Sequence, residues 1–455
     1  MSKSHFTTIA LVLAMATSVH AQSYKLLYNF GSNPGDPTGP RYSGTIAQSP
    51  GGNLYSTADD HWTDGLGTAF KMSINGTLTV LHRFGGIGGQ APTGGLVFAT
   101  DQRFHGTTTS GGLYGHGTIF RIAPDGKVRT LYSFTGGADG SDPETAPIQS
   151  VAGHYYGTTY GGNGNFGSVY KMTTVDEFIL LHTFVGTDGA NPLAPLIQGS
   201  DYGFYGTTQT GGTHDAGTIF RISSQGYFKV LYNFDWTHGG YPYSPLIQAS
   251  DGNFYGVTAR GGPSGWGVLF KMTPSHTLTV LHTFDAGHDG GNQVGGLVEA
   301  TDGNLYGTNN IGGANGWGVL FRITKAGAFA VLHDFDWNSG ASPQTTLVQH
   351  TNGKFYADTA VGGTATQGVF YRFDLGLPPF VTFLSVYGRV GAHVDILGQH
   401  FTDASVVSFN GVPAQNPEIQ PTYIKAIVPD GATTGLITVT TTSGTLKSNK
   451  VFVIH

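Results

Sequence analysis

Gly217-Thr218-Ile219-Phe220-Arg221-Ile222 is a short run of β-branched and aromatic residues behind a glycine, the pattern of a strand that follows a turn. The run is one of seven. Phe70, Phe120, Tyr170, Phe270, Phe321 and Tyr371 take the place of Phe220, at steps of 50 residues with a single step of 51. Residues 117–122 repeat the hexapeptide letter for letter, and 267–272 and 318–323 vary it as Gly-Val-Leu-Phe. Self-similarity at such a period marks an array of equal structural units.

Three more blocks recur around this one. Upstream lie Asn253-Phe254-Tyr255-Gly256 and Asn304-Leu305-Tyr306-Gly307, whose aromatic returns at Tyr55, His105, Tyr156, Tyr205 and Tyr356. Downstream a V-L-[HY]-x-F run occurs at 80–84, 130–134, 180–184, 230–234, 280–284 and 331–335. The fourth block is the Pro-Leu-Ile-Gln run at 195–198 and 245–248. Each is bounded by Gly, Asp, Asn or Pro, no segment has a helical period, and Asp251-Gly252 and Asp302-Gly303 read as tight hairpin turns. Four strands per unit predict propeller blades, with a solenoid as the competing architecture. The ends decide between them. The last unit stops after Tyr371-Arg372-Phe373, and its missing strand stands at the other end as Lys25-Leu26-Leu27-Tyr28-Asn29-Phe30. A solenoid would need polar caps, whereas a ring needs one terminus to supply what the other lacks. The expected fold is all-β: a seven-bladed β-propeller over residues 22–376, closed by an N-terminal strand.

The text G-N-[FL]-Y-G-T-T…G-G…G-[TV]-[IL]-F-[RK]-[IM] over residues 24–373 resembles the kelch-like GloVer tandem repeats of secreted bacterial proteins. The resemblance implies a propeller and export, and it brings no catalytic residues with it. Similar proteins often end in an anchoring segment, but no sortase motif or terminal hydrophobic span with basic residues is seen here. Leu377-Pro378-Pro379 reads as a linker. Beyond it, residues 380–455 carry Val394-Asp395-Ile396-Leu397-Gly398, Val406-Val407-Ser408-Phe409-Asn410-Gly411, Val428-Pro429 and Leu436-Ile437-Thr438-Val439. This order resembles an IPT/TIG immunoglobulin-like domain, which implies a small β-sandwich acting as a spacer or adhesive module.

Composition narrows the function. Among 455 residues there are 72 glycines and 21 prolines, no cysteine, and a formal charge of −6. Zero cysteine excludes disulfides, thiolate metal sites and cysteine nucleophiles. The weak negative charge without a basic run argues against nucleic acid as a partner. Lys3, the apolar Ile9–Ala16 run and Val19-His20-Ala21 read as a signal peptide over residues 1–21, cleaved after Ala21. No later run is long enough for a membrane span. The expectation is therefore a secreted monomer, extracellular or on the outer cell surface.

Loop lengths point to one face. The turns at Ser250-Asp251-Gly252 and Pro124-Asp125-Gly126-Lys127 are short, and the other two connections of each unit are long. Turns of a meander alternate between its ends, so both long loops share one face, where binding usually resides. Trp62, Trp236, Trp266, Trp317 and Trp337 map there, with Tyr42, Tyr114, Tyr241 and Tyr243. Such rings suit the C–H faces of sugars, while amides and carboxylates take the hydroxyls. Trp266 and Trp317 share one repeat position and Trp236 and Trp337 another, which inter-blade packing would also produce. Where other units carry Gly-Gly, unit one carries His61-Trp62 inside Asp59-Asp60-His61-Trp62-Thr63-Asp64. That run could serve a cation or a sugar with a general base, or it could be irregularity at the closure seam. Tyr114 with His116, His214-Asp215 and Arg260 are further singular loop residues. No cofactor is expected; calcium is an option at the Asp139–Asp142 run. His82, His182, His282 and His333 recur at one strand position and read as structural. His105 stands in for the strand-two tyrosine, either facing the channel or filling a packed slot.

The first functional expectation is recognition of a polysaccharide or cell-surface component by the long-loop face. The alternatives are a polysaccharide lyase or glycoside hydrolase using the same face, and a purely structural protein-contact module. A lyase would need an Arg or cation with a His or Tyr base, for which Arg41, Arg260 and the loop histidines are on offer; a hydrolase would need two carboxylates. No Ser-His-Asp or phosphate-loop motif is present.

Overall fold

The structure, a computed structural model, describes residues 22–40, 44–61, 63–162, 164 and 166–455. The expected signal peptide, Arg41, Tyr42 and Trp62 lie outside these residues. Among the described residues seven antiparallel sheets of four strands follow one another. The fourth unit shows the pattern: Ile197–Gln198, Phe204–Thr208, Thr218–Ile222 and Phe228–Asn233 pair in chain order. The seventh sheet takes Val348–Gln349, Phe355–Asp358 and Val369–Asp374 from one end of the array and Ser23–Asn29 from the other. Ser23 faces Asp374, Lys25 faces Arg372 and Asn29 faces Val369, so the N-terminal strand closes the ring. We call the sheets blades 1 to 7 in chain order.

Two sequence features have direct structural causes. Gly217 has φ +92°, and a Cβ there would sit 2.3 Å from Thr208 O and 2.8 Å from Pro242 Cδ of the next blade. Only glycine tolerates both the conformation and the approach. The run of successive apolar residues in V-L-[HY]-x-F breaks strand alternation because a bulge falls within it. Ile219 faces Tyr232 but Phe220 faces Val230, leaving Leu231 unpaired, and the same shift recurs in the other blades. A bulge adds local twist, as a blade requires.

The core is a ring of aromatic pairs between blades. The final Phe of each V-L-[HY]-x-F run packs on the Phe or Tyr of the next blade's third strand. Phe84–Phe120, Phe134–Tyr170, Phe184–Phe220, Phe234–Phe270, Phe284–Phe321 and Phe335–Tyr371 have centroids 4.8–5.8 Å apart. Phe30–Phe70, at 5.5 Å, completes the circle. A second layer stacks strand-two tyrosines on the following blade, as in Tyr55–Phe104 and Tyr156–Phe204. His105 fills that slot: it is buried, stacks on Tyr155 at 4.0 Å, and its Nε2 lies 2.9 Å from the Tyr155 hydroxyl. The recurring strand-four histidines also pack. His182 stacks on Phe228, His282 on Phe329 and His333 on Tyr24, and burial lowers the pKa of His182 and His333.

The glutamines of the Ile-Gln strands form a polar belt. Gln149, Gln198, Gln248, Gln349 and Gln48 each accept from a backbone N–H of a neighbouring blade at 2.8–3.1 Å, tying blade to blade. In blade 6 the place is taken by Glu299, which accepts from Ser250 N and Oγ.

Residues Thr382–Ile454 form a two-sheet sandwich. One sheet orders Thr382–Phe383, His393–Leu397, Tyr423–Ile427 and Glu418–Gln420; the other holds Tyr387–Gly388, Gly444–Ile454, Gly435–Thr441, Val406–Phe409 and Val412–Pro413. Ile396, Val407, Phe409, Ile424, Ile437, Val439 and Phe452 fill it. The sandwich docks on the short-turn face of the ring. Gln399 Nε2 donates to Thr351 Oγ1 at 2.8 Å, Phe380 N to Thr351 O at 3.0 Å, and Tyr387 tilts against Tyr202 at 5.1 Å. Among the described residues no helix is long and apolar enough to cross a membrane.

Candidate binding site

Both long loops do share one face. The loop after strand four of one blade bridges to the loop after strand two of the next, at Gln90–Ser110, Ser141–Gly161, Ala190–Thr210, Gly240–Arg260, Gly291–Ile311 and Ala341–Val361. Where these loops turn toward the ring axis they leave a pocket of about 440 Å³. Two repeat positions line it. One precedes strand one and carries Glu144, Leu193, Tyr243, Val294 and Gln344; the other follows strand two and carries Tyr160, Gln209 and Asn310. Asn292 adds a further amide.

The wall is polar but incompletely bonded. Gln209 donates to the Tyr243 hydroxyl at 3.0 Å, while the side-chain oxygens of Gln209, Asn292 and Asn310 are buried without a hydrogen-bond partner. Buried acceptors without donors are uncommon and costly, about 1–3 kcal/mol each. Glu144 is the carboxyl of the pocket. Burial pushes its pKa up to about 7, the Thr93 hydroxyl at 3.1 Å holds it down in part, and the charges of Asp142 and Asp59 raise it again. Near neutral pH the group can therefore donate or accept a proton.

The aromatic loop residues are sorted by the structure. Trp236 meets Tyr241 edge-on at 4.7 Å, and Tyr241 lies parallel to Tyr243 at 6.4 Å, a line of rings running from the loops to the pocket wall. The Trp236 indole N–H donates to His214 O, and Arg260 stands over Trp266 at 5.6 Å while its charge reaches Tyr243. Trp317 and Trp337 form a separate edge-to-face pair at 4.8 Å. These contacts join the loops of a single blade and its exit loop. Trp236, Trp317 and Trp337 still expose more than a third of their surface. Tyr114 and His116 are exposed, and Asp215 accepts from Gly211 N within its own loop.

The acidic run of blade 1 is divided by burial. Asp60 turns into the blade, where it accepts from Thr38 N at 2.8 Å and from the Thr68 hydroxyl. Other blades use a strand-two hydroxyl for that partner, as Thr108 with Thr118 and Thr208 with Thr218, both at 2.8 Å; blade 1 has Ala58 there. Asp60 thus stands in for a missing hydroxyl, which gives this member of the run a structural role. Asp59 is buried and within electrostatic reach of Glu144, whereas His61 and Asp64 are exposed. Asp139 spends its carboxylate on Tyr132 and Thr135. Among the described residues no group of three or more His, Asp or Glu could hold a metal ion.

Glu144, Tyr160, Gln209, Asn292, Asn310 and Gln344 were not singled out from the sequence. Their signal lies in the comparison of repeats. Asp59, Thr109, Tyr160, Gln209, Ala259, Asn310 and Ala360 occupy one position, directly before or after near-invariant letters, and differ in chemistry from blade to blade.

A closed ring of four-stranded blades with a pocket on its loop face and a docked sandwich defines a propeller protein. The chain belongs to the Gloeobacter/Verrucomicrobia repeat family, whose model matches residues 40–250 and 204–395. An IPT/TIG domain matches residues 379–454. No match was found among curated proteins. Solved structures similar in fold include a fungal alcohol oxidase of the AA5 family in complex with copper, 12% identical over 92% of this chain and 98% of that one, TM-score 0.48. Others are the periplasmic gluconolactonase PpgL of Pseudomonas aeruginosa, 16% identical over 71% and 97%, TM-score 0.47, and a gluconolactonase of Xanthomonas campestris, 12% identical over 80% and 93%, TM-score 0.42.

Proposed function

We propose that this chain is an exported, cell-surface or extracellular binding protein that recognises carbohydrate on the long-loop face, with the axial pocket taking one sugar unit. The observation that carries this reading is the set of unbonded acceptors, Gln209, Asn292 and Asn310, beside Tyr160, Tyr243 and Glu144. A sugar offers what such a wall lacks: several hydroxyl donors on a compact ring with C–H faces for aromatic contact. The Trp236–Tyr241–Tyr243 line would carry the next units of a polymer outward.

The test is retention on immobilised neutral and uronic-acid polysaccharides, with residues 22–455 as the protein. Tyr243→Ala and Gln209→Ala are expected to weaken retention at least tenfold without unfolding the ring. Unchanged retention in both would remove the pocket from the binding site. A second reading, glycoside hydrolysis, is favoured by the raised pKa of Glu144, since such chemistry uses a carboxylic acid that stays protonated near neutral pH as its proton donor. New reducing ends in the same incubation, lost in Glu144→Gln, would select it.

A further inference from the structure

The pocket of the loop face has a one-sided chemistry. Its amides spend donors on the protein: Gln209 Nε2 donates to the Tyr243 hydroxyl at 3.0 Å, and Gln344 Nε2 to Ser342 Oγ at 3.0 Å. The Thr93 hydroxyl faces the half-buried Glu144 carboxyl, with Oε2 at 3.1 Å. The acceptors are left over. Asn310 is 8% exposed in the wall and its Oδ1 has no hydrogen-bond partner; nor have Gln209 Oε1 and Asn292 Oδ1.

The two repeat positions that line the pocket also carry charge of one sign. Glu144 stands at the first and Asp59 at the second, and among the described residues neither position holds Lys, Arg or His. Asp59 and Asp142 add their charges to the surroundings of Glu144. Arg260, whose charge reaches Tyr243, stands over Trp266 and is not part of the wall.

This wall discriminates among sugar substituents. A hydroxyl brings two acceptor lone pairs with its one donor, and those lone pairs find few donors here. An ammonium brings three donors and no acceptor, and its bond to a carboxylate is of the stronger, charge-assisted kind. Its charge also favours the ionised form of the carboxyl it meets. An acetamide cancels that charge and adds a carbonyl acceptor. A uronate sets a second negative charge beside Glu144 and Asp59.

We propose that the pocket selects a sugar bearing a free amine, a hexosamine unit of a basic polysaccharide, with its ammonium on Glu144 and the open amide oxygens beside it. The proposal rests on the carbohydrate reading above and adds the class of sugar. Selectivity comes from the unpaired groups that a wrong unit leaves in the wall.

The test is calorimetric titration of residues 22–455 at neutral pH with trisaccharides of glucosamine, N-acetylglucosamine, glucose and galacturonate. The glucosamine trisaccharide is expected to bind at least tenfold more tightly than each of the others. Glu144→Gln keeps the shape and removes the charge; it is expected to bring the glucosamine and glucose affinities within about twofold of each other. Tyr243→Ala is expected to lose at least tenfold in glucosamine affinity, which an amine held by acidic loops elsewhere on the ring would not. The galacturonate arm covers Arg41, which shares the repeat position of Asn292 and lies outside the described residues. Equal affinity for glucose or N-acetylglucosamine, preference for galacturonate, an amine preference that survives Glu144→Gln, or glucosamine binding that survives Tyr243→Ala overturns the proposal. Glucose bound as well as glucosamine and lost in Tyr243→Ala removes the amine preference and leaves the carbohydrate reading standing. Binding of none of the four removes both. If Glu144→Gln fails to fold, the affinity ratios of the unaltered protein and the Tyr243→Ala result still decide it.

Discussion

Phe30 packs edge-on against Phe70 with centroids 5.5 Å apart, and so does for the junction of blades 7 and 1 what Phe84 does for blades 1 and 2 against Phe120. Both Phe30 and Phe70 are fully buried. Phe30→Ala should therefore cost about 3–5 kcal/mol of stability, as large core truncations do. The denaturant midpoint reads this; a loss under about 1 kcal/mol would mean that closure does not depend on this pair.

Asp358 should be a liability. It occupies the strand-two position of Thr57, Thr107, Thr158, Thr207 and Thr308, is fully buried, and neither carboxyl oxygen has a partner. The nearby Thr345 hydroxyl is spent on the Asp358 backbone N–H and C=O, at 3.3 and 3.4 Å. Burial pushes the pKa up to about 7. The folded chain then holds a proton that the unfolded chain releases above its ordinary value of 3.8, so stability falls as pH rises from about 4 to 7. Asp358→Thr should raise stability at pH 8 by on the order of 1–3 kcal/mol. That gain should shrink toward pH 4, and thermal melts across pH would detect its absence.

Asp60 and Ala58 should be exchangeable with a hydroxyl. Asp60→Ala alone leaves the Thr68 hydroxyl and Thr38 N–H without their acceptor, a loss of about 1–3 kcal/mol. Adding Ala58→Thr restores the pairing seen at Thr108–Thr118 and should recover part of that loss. A double variant no more stable than the single would show that the Thr38 bond carries the whole effect.

Glu144 should set the pH response of the axial pocket. With a pKa raised to about 7, its protonated form is lost as pH passes from 6 to 8. Glu144→Gln holds the neutral shape at every pH, so retention on the polysaccharide should lose its pH dependence over that window. A pH profile identical to that of the unaltered protein would exclude Glu144 from contact.

The two tryptophan groups should separate. Trp236→Ala removes the outer ring of the line that ends at Tyr243 and should weaken polymer retention severalfold, with a smaller effect on a monosaccharide. Trp337→Ala, from the pair with Trp317, should change retention less than about twofold. Equal effects would relocate the binding surface to the rim as a whole.

The ring was legible because its causes are local and repeated. The Phe at each V-L-[HY]-x-F end and the glycine before each third strand recur for one packing reason each, and the missing strand at residue 373 names its own replacement at residue 25. The common face of the long loops followed from turn lengths alone. The axial pocket did not follow, since Glu144, Gln209 and Asn310 are single letters whose convergence depends on the curvature of the closed ring. The run around His61 drew notice because His61-Trp62 stands where other units carry Gly-Gly, and Asp60 beside it replaces a hydroxyl that Ala58 lacks. Docking of the sandwich onto the short-turn face was equally hidden, because Leu377-Pro378-Pro379 gives an extended chain and no direction.

The closure by residues 23–29 has a consequence for synthesis. These residues precede every other strand of the ring, yet their partner strand, ending at Asp374, follows all of them. At ~5–20 residues per second the opening segment waits roughly 20–70 seconds for it. During that interval Ser23–Asn29 is without the strand it pairs with. The chain thus carries its own completeness check: a polypeptide released or cleaved before the seventh repeat keeps one end of the array open, with apolar rings and unpaired backbone on view to whatever clears defective protein.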